Sequence, residues 1–315
     1  MYRPTSGLDS PRFVGIRTFM RLPLITDVSG CDAFIVGIPF DTGASYRVGS
    51  RFAPEAIRSI SAMIRAYHPF HKFDIFDRIN VADVGDLAVV PGYAESSLNR
   101  ITQQLLDLLE QSQGGVPIAL GGDHTIVLPE LRAQVAYRKQ PIAVVHFDSH
   151  SDTWDEYWGE KYTHGTMYRR AVEEGLIDTA HSIQVGLHGS AYDDNDWAQS
   201  RTLGFATLTL RESLDVGIPA TVARIRERVG DAPVYLSLDI DVVDPAYAPG
   251  TGTPEVGGYT TIQMQDILRA LGGLNYVGFD LVEVLPQYDG PGQITSLLAA
   301  NLCWEFLALT ALRPS

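Results

Sequence analysis

Three side chains able to bind a metal ion occupy alternate positions in Phe147-Asp148-Ser149-His150-Ser151-Asp152, directly after the apolar run Ile142-Ala143-Val144-Val145. Residues i, i+2 and i+4 of an extended chain share one face, so Asp148, His150 and Asp152 can converge on one point. A second apolar run, Val234 to Leu238, leads into Asp239-Ile240-Asp241, again with carboxylates two apart, and Gly121-Gly122-Asp123-His124 sets a further imidazole at a third strand end. One such motif alone reads as readily as a turn former or helix cap. Together they read as a site. Carboxylate oxygens with two imidazoles and no thiolate suit Mn²⁺ or a similar hard divalent ion.

These residues must be positioned by strands, and the chain alternates apolar strand patterns with amphipathic segments. Strands are predicted near residues 32–37, 79–84, 116–121, 142–147, 182–187, 203–208, 233–239 and 276–281. Helical patterns between them include Pro54 to Arg58, Ser97 to Leu109, Thr125 to Ala136, Ala220 to Val229 and Thr261 to Leu271. Strand and helix repetition with apolar strands predicts an α/β fold: one three-layer α/β/α domain with a mostly parallel sheet of about eight strands. In such sheets ligands lie beyond the carboxyl ends of the strands, where each motif above falls. Residues 1–30, rich in Pro and Arg and without periodicity, are expected to form an arm, and residues 31–315 the catalytic domain. The segment Ala248 to Pro254 is too short for a linker and reads as a pocket wall.

At 315 residues with 45% hydrophobic and 20% charged side chains, the chain can bury a sizeable core. A formal charge of −14 argues against nucleic acid or an anionic membrane as a partner, since both attract basic surfaces. Only two cysteines occur, Cys31 and Cys303, far apart and without metal-type spacing, which points to a reducing cytoplasm. No secretory signal pattern and no spanning apolar run is present in the sequence.

The Gly-Gly-Asp-His, Asp-Ser-His-Ser-Asp and Ser-Leu-Asp-Ile-Asp-Val-Val-Asp-Pro motifs, in this order between Gly37 and Pro286, resemble those of the ureohydrolases, the arginase and agmatinase family of binuclear manganese enzymes. The resemblance implies one metal on His124, Asp148, Asp152 and Asp239 and another on His150, Asp148, Asp239 and Asp241, with Asp148 and Asp239 bridging. Mn²⁺ is the metal it implies, with Ni²⁺ or Co²⁺ as alternatives. It further implies catalytic parts for His164, the histidine of Thr163-His164-Gly165-Thr166, as proton shuttle, for Asp152 as hydrogen-bond acceptor, and for Glu283 as holder of the substrate guanidinium. The implied reaction is hydrolysis of a guanidine C–N bond to urea and an amine. Formimidoylglutamate hydrolysis and a non-catalytic partner subunit are its rivals. Homotrimers or homohexamers are the implied assembly. The segment Ser10 to Pro23 resembles the arm of the guanidino-acid hydrolase and proclavaminate amidinohydrolase branch, where it packs on a neighbouring subunit; otherwise it covers the chain's own core.

His146 shares the parity of Asp148 one step deeper and reads as a satisfied core histidine. Asp123 reads as orienting its neighbours, and Asp244 as a turn former. The insertion Thr153 to Tyr162 overhangs the metal residues, where Trp154 and Trp158 either shape a substrate slot or anchor the loop. Its Gly159-Glu160-Lys161 resembles agmatinases and guanidino-acid hydrolases more than arginases. The acids Asp155, Glu156, Glu160 and Asp193-Asp194-Asn195-Asp196 favour the ammonium tail of agmatine over the carboxylate of a guanidino acid such as 4-guanidinobutyrate. One departure stands out: relatives read Ile-Arg-Gly where this chain has Leu187-His188-Gly189, which either retunes the pocket or is a plain structural substitution.

Overall fold

The computed structural model describes residues 1–193 and 195–314. Its main sheet uses eight strands: β1 (Ala33–Gly37), β4 (Val81–Asp86), β5 (Val116–Leu120), β6 (Ala143–Phe147), β7 (Ile183–Leu187), β8 (Ala206–Thr209), β9 (Val234–Asp239) and β10 (Tyr276–Val282). Each lies within a few residues of its predicted place. Two further strands, β2 (Tyr67–His68) and β3 (Phe73–Asp74), pair as a short antiparallel hairpin absent from the prediction. The sheet order is β4-β1-β5-β10-β9-β6-β7-β8, and every pairing in it is parallel.

Parallel neighbours require crossovers, which place helices on both faces. On one side α1 (Ala53–Ser61), α6 (Leu210–Val216), α7 (Ile218–Val229), α8 (Thr261–Ala270) and α9 (Ile294–Thr310) pack in series. On the other lie α2 (Ala94–Gln111), α3 (Val127–Arg138) and α4 (Met167–Glu173), and a short α5 (Ala198–Thr202) sits beside β8. Alternate strand residues feed the two cores. Ile35, Ile118 and Leu236 join Ile57, Ile225 and Leu302, whereas Phe34, Val36 and Ala119 join Ile101 and Leu105 of α2. Strands apolar on both faces follow from that double cover.

Helix α9 shows no amphipathic stripe because it is wrapped by the rest of the chain, with Leu302, Cys303, Phe306 and Leu307 fully buried. Asp289 caps its first turn, accepting from the amides of Thr295 at 2.8 Å and Ser296 at 2.7 Å. No described helix is long and apolar enough to cross a membrane.

The N-terminal arm divides in two. Phe19, Met20 and Leu22 are buried in this chain's own core, tied by Phe19 N to Asp83 Oδ2 at 2.8 Å and Met20 N to Ser61 Oγ at 2.7 Å. The preceding residues leave Leu8, Phe13 and Ile16 exposed.

Backbones crowd where β1 and β5 end. A Cβ on Gly122 would collide with the Phe40 carbonyl oxygen and lie 2.8 Å from that of Ile38. Neither obstacle is a side chain that can swing away. Gly122→Ala is therefore expected to cost about 3 kcal/mol or more, read as a lower denaturation midpoint at unchanged slope.

Candidate metal centre and active site

The sheet order explains how distant motifs meet. The strands that carry them, β5, β10, β9, β6 and β7, are contiguous in the middle of the sheet, and being parallel they all end at one edge. Register sets the height of each residue: Phe147 pairs with Leu238, so Asp148 and Asp239, the next residues, stand side by side. Val282 pairs with Asp239, which places Glu283 one step above.

The six expected ligands converge. Nδ1 of His124 lies 3.1 Å from Asp148 Oδ2, 3.0 Å from Asp152 Oδ2 and 3.4 Å from Asp239 Oδ2. Nδ1 of His150 lies 3.4 Å from Asp148 Oδ1 and 3.1 Å from Asp241 Oδ2. Asp148 thus turns one oxygen toward each imidazole.

Hydrogen bonding tests whether the cluster fits cations. Ser237 Oγ donates to Asp280 Oδ1 at 2.7 Å, so it can only accept at 2.8 Å from His124 Nε2. The His124 proton is then on Nε2, and Nδ1 presents a bare lone pair to three carboxylates, buried and without a hydrogen-bond partner. Lone pair facing carboxylate is repulsive unless a cation stands between them. Four buried acids, Asp148, Asp152, Asp239 and Asp241, match the four charges of two divalent ions. The donor set fits.

His146 approaches the same cluster but is no ligand. Gln184 Nε2, fixed by donating to the Ser151 carbonyl at 2.7 Å, also donates to His146 Nδ1 at 2.9 Å, so His146 Nε2–H donates to Asp148 Oδ2 at 2.8 Å. It holds that carboxylate in place. Asp123 accepts from the amides of Gly43 at 2.8 Å and Thr125 at 3.0 Å, tying the loop after β1 to the start of the turn that bears His124.

Glu283 is 1% exposed and has φ +62, a conformation costing a non-glycine residue about 1 kcal/mol. Asp152 shares the strain at φ +52. Strain of this kind persists where the surroundings impose it, commonly at working sites. Oε1 of Glu283 accepts from the His124 amide at 3.0 Å and from His164 Nδ1 at 2.8 Å. Oε2 has no partner although buried. In front of it lies Gly252, where a Cβ would come within 3.3 Å. Thr253 Oγ1 reaches Asp241 Oδ2 at 3.5 Å, so the 248–254 loop is a wall of this pocket.

His164 is gripped at both nitrogens. Ser45 donates its amide to Nε2 at 3.1 Å, with Ser45 Oγ at 2.6 Å, and an amide can donate only to an unprotonated nitrogen. In the neutral ring the proton therefore sits on Nδ1, directed at Glu283, and Nε2 is the nitrogen that takes up a second one. Burial lowers the affinity of the ring for a second proton, but the Glu283 carboxylate outweighs it and pushes His164 up to about 9.

The overhanging loop contributes unevenly. Trp154 stacks on Tyr157 at 5.7 Å and meets Tyr192 edge-on at 4.9 Å. Tyr157, not singled out in the sequence, presses against Gly165 beside His164. Trp158 is 79% exposed and borders a groove with Tyr93, Glu160, Gly43 and Thr163. The loop acids are mostly engaged within their own surroundings: Asp155 pairs with Arg170 at 2.7 Å, Asp193 takes the Asn195 amide at 2.7 Å, and Asp196 takes the Tyr192 amide at 2.5 Å. Asp194 lies outside the described residues. These acids do not make the case for an ammonium tail. His188 is 9% exposed, with Nδ1 at 2.7 Å from the Gly186 carbonyl and Nε2 unpartnered.

Ser45, Ser237, Asp280 and Tyr157 escaped the sequence reading. A signal existed for two of them: Ser237 and Asp280 are polar residues inside otherwise apolar central strands, and such groups are retained where something needs their hydrogen bonds.

Fold and site together define a metal-dependent hydrolase built on a parallel α/β sheet. The chain belongs to the Arginase family, which it matches over residues 31–309, and with that family go a binuclear metal centre and a small guanidino-type substrate. It is 43% identical to guanidinopropionase of Pseudomonas aeruginosa, over 98% of this chain and 96% of the relative. It is 44% identical to mitochondrial agmatinase of Gallus gallus, over 97% and 89%. The solved structure of proclavaminate amidinohydrolase from Streptomyces clavuligerus matches with a TM-score of 0.89 at 42% identity, covering 96% of this chain and 99% of that one.

Proposed function

We propose that this protein hydrolyses the C–N bond of a primary guanidine, releasing urea and an amine, with agmatine, which yields putrescine, as the leading substrate and a guanidino acid as the alternative. The observation that carries the reading is the unpartnered Oε2 of Glu283 beside the His/Asp cluster. A planar guanidinium pairs with a carboxylate through two charge-assisted hydrogen bonds, and here one oxygen is anchored while the other waits for a donor.

In this reading His124, Asp148, Asp152 and Asp239 hold one ion and His150, Asp148, Asp239 and Asp241 the other. Mn²⁺ is the ion proposed, from the oxygen- and imidazole-rich donor set, with Ni²⁺ and Co²⁺ also accommodated. Bound ions supply Lewis acidity that makes a nucleophile of water at neutral pH. Glu283 would orient the guanidinium carbon for attack, and Asp152, held in its strained conformation, would accept a hydrogen bond from the attacking water. His164, gripped between Ser45 and Glu283, carries a proton to the departing amine nitrogen. Guanidinium plus water gives urea plus an ammonium ion, so charge and atoms balance. Trp154 lines the substrate slot, and Trp158 borders the groove that runs past Gly43 and Thr163.

We propose further that residues 1–30 form an interface arm, with Leu8, Phe13 and Ile16 covered by a neighbouring copy in a homotrimer or homohexamer. The two free, buried cysteines support a cytoplasmic location. The test of activity is urea release by protein reconstituted with Mn²⁺ or Ni²⁺, offered agmatine, 4-guanidinobutyrate, 3-guanidinopropionate, arginine and guanidine. Urea from agmatine above the others is expected. No urea from any of them, with about two metals bound, would sink the reading.

A further inference from the structure

Glu255 packs on Gly189 and Ser190, the two residues that follow His188, beside the loop that walls the pocket. Glu255 lies two residues beyond Thr253, whose hydroxyl touches Asp241, so its backbone is within about 7 Å of Thr253. Its carboxylate accepts from Ser190 Oγ at 3.1 Å and Ser190 N at 3.4 Å. The same carboxylate fills the space where any side chain on Gly189 would stand, and Gly189 has φ +91. Glu255 makes no ion pair among the described residues, unlike Asp155 of the overhanging loop, which is paired with Arg170.

His188 precedes Gly189 and is anchored to the cluster's own strand end, its amide donating to the Ser149 carbonyl at 3.0 Å. Its Nδ1 faces the Gly186 carbonyl, which can only accept, so the proton is on Nδ1 and Nε2 is a bare acceptor. That nitrogen is buried without a donor. The two residues therefore offer a carboxylate and an imidazole lone pair, both acceptors. An arginine at 188 would set a permanent positive charge next to the residue on which Glu255 packs.

We propose that Glu255 receives the cationic end of the substrate, a primary ammonium on a short alkyl chain, and that histidine at 188 is what leaves Glu255 free to do so. An ammonium brings three N–H donors and one positive charge to acceptors that lack both, whereas a carboxylate tail meets only repulsion there. This rests on the urea-forming reading of the same site and specifies its tail.

The test is steady-state urea release by Mn²⁺-loaded protein from agmatine and from 4-guanidinobutyrate, in wild type, Glu255→Gln and His188→Arg. Both variants are expected to lower the agmatine to 4-guanidinobutyrate ratio of kcat/KM by roughly five- to tenfold, carried by KM for agmatine. Putrescine inhibition, which needs no turnover, is expected to weaken by the same factor in Glu255→Gln. A ratio and a putrescine inhibition constant both unchanged in Glu255→Gln overturn the proposal, provided metal content and melting temperature match wild type. Urea from guanidino acids alone also overturns it while leaving the urea-forming reading intact. No urea from any guanidine overturns both.

Discussion

Glu283→Gln is expected to keep its metal and lose urea formation by roughly 10²- to 10³-fold in kcat/KM. Glu283 is absent from the groupings of metal-competent side chains around His124, Asp148 and Asp152 and around Asp148, His150 and Asp241, so its substitution is expected to leave the proposed ligands in place. Its Oε1 is held by the His124 amide and by His164, and that grip orients the buried Oε2 toward the space left by Gly252. Glutamine has the same shape and can keep the anchored oxygen. The group at the second position then becomes an NH₂, which points donors at the donors of a guanidinium and carries no charge. Losing one side of a desolvated charge pair costs about 3–5 kcal/mol. The measurement is metal content by mass spectrometry alongside urea kinetics. Turnover within tenfold of wild type would remove Glu283 from substrate binding. Lost metal would make it part of the ion site instead.

What the sequence showed and what it hid divide along the range of the interactions. The alternation of apolar strands with carboxylates at their ends needs only local patterning. Hence the eight strands were legible from spacing. Asp148, His150 and Asp152 are instead brought near one another by bends at Ser149 and His150 and a left-handed Asp152, and not by the extended run that the alternation suggested. That β5, β10, β9, β6 and β7 stand next to one another is a matter of long-range pairing, and nothing local encodes it. The same limit hid Ser45, which reaches His164 across 119 residues of chain. Helix α9 was obscure for the opposite reason: being buried all round, it lacks the periodic contrast by which a helix is read.

Loop charge was the least readable quantity. Asp155 and Asp196 look like a welcome for an ammonium group until their partners are seen. Arg170 and the Tyr192 amide then account for them, and Glu255, which composition does not distinguish from other acids, remains without a cation. A carboxylate's meaning depends on what neutralises it, and partners in loops are set by tertiary contacts rather than by sequence spacing.

Asp239→Asn should change stability in opposite senses with and without metal. In chelator the wild-type protein holds Asp148, Asp152, Asp239 and Asp241 together with His124, His146 and His150 among them, so four carboxylates crowd a buried site. Neutralising one relieves repulsion on the order of 1–3 kcal/mol at a protein-like dielectric. Asparagine retains the oxygen that accepts from the Asp241 amide at 2.9 Å, so the turn after β9 is kept. With metal present the balance reverses. An ion at roughly 1,000 times its Kd adds about 4 kcal/mol to the folded state, and the variant lacks one of the carboxylates proposed to hold the ions. Thermal melts should therefore show Asp239→Asn no less stable than wild type in chelator, several degrees less stable in excess Mn²⁺, and at least about 10³-fold slower in urea release. Equal destabilisation in both conditions would mean that Asp239 acts through the backbone turn it caps and not through bound cations.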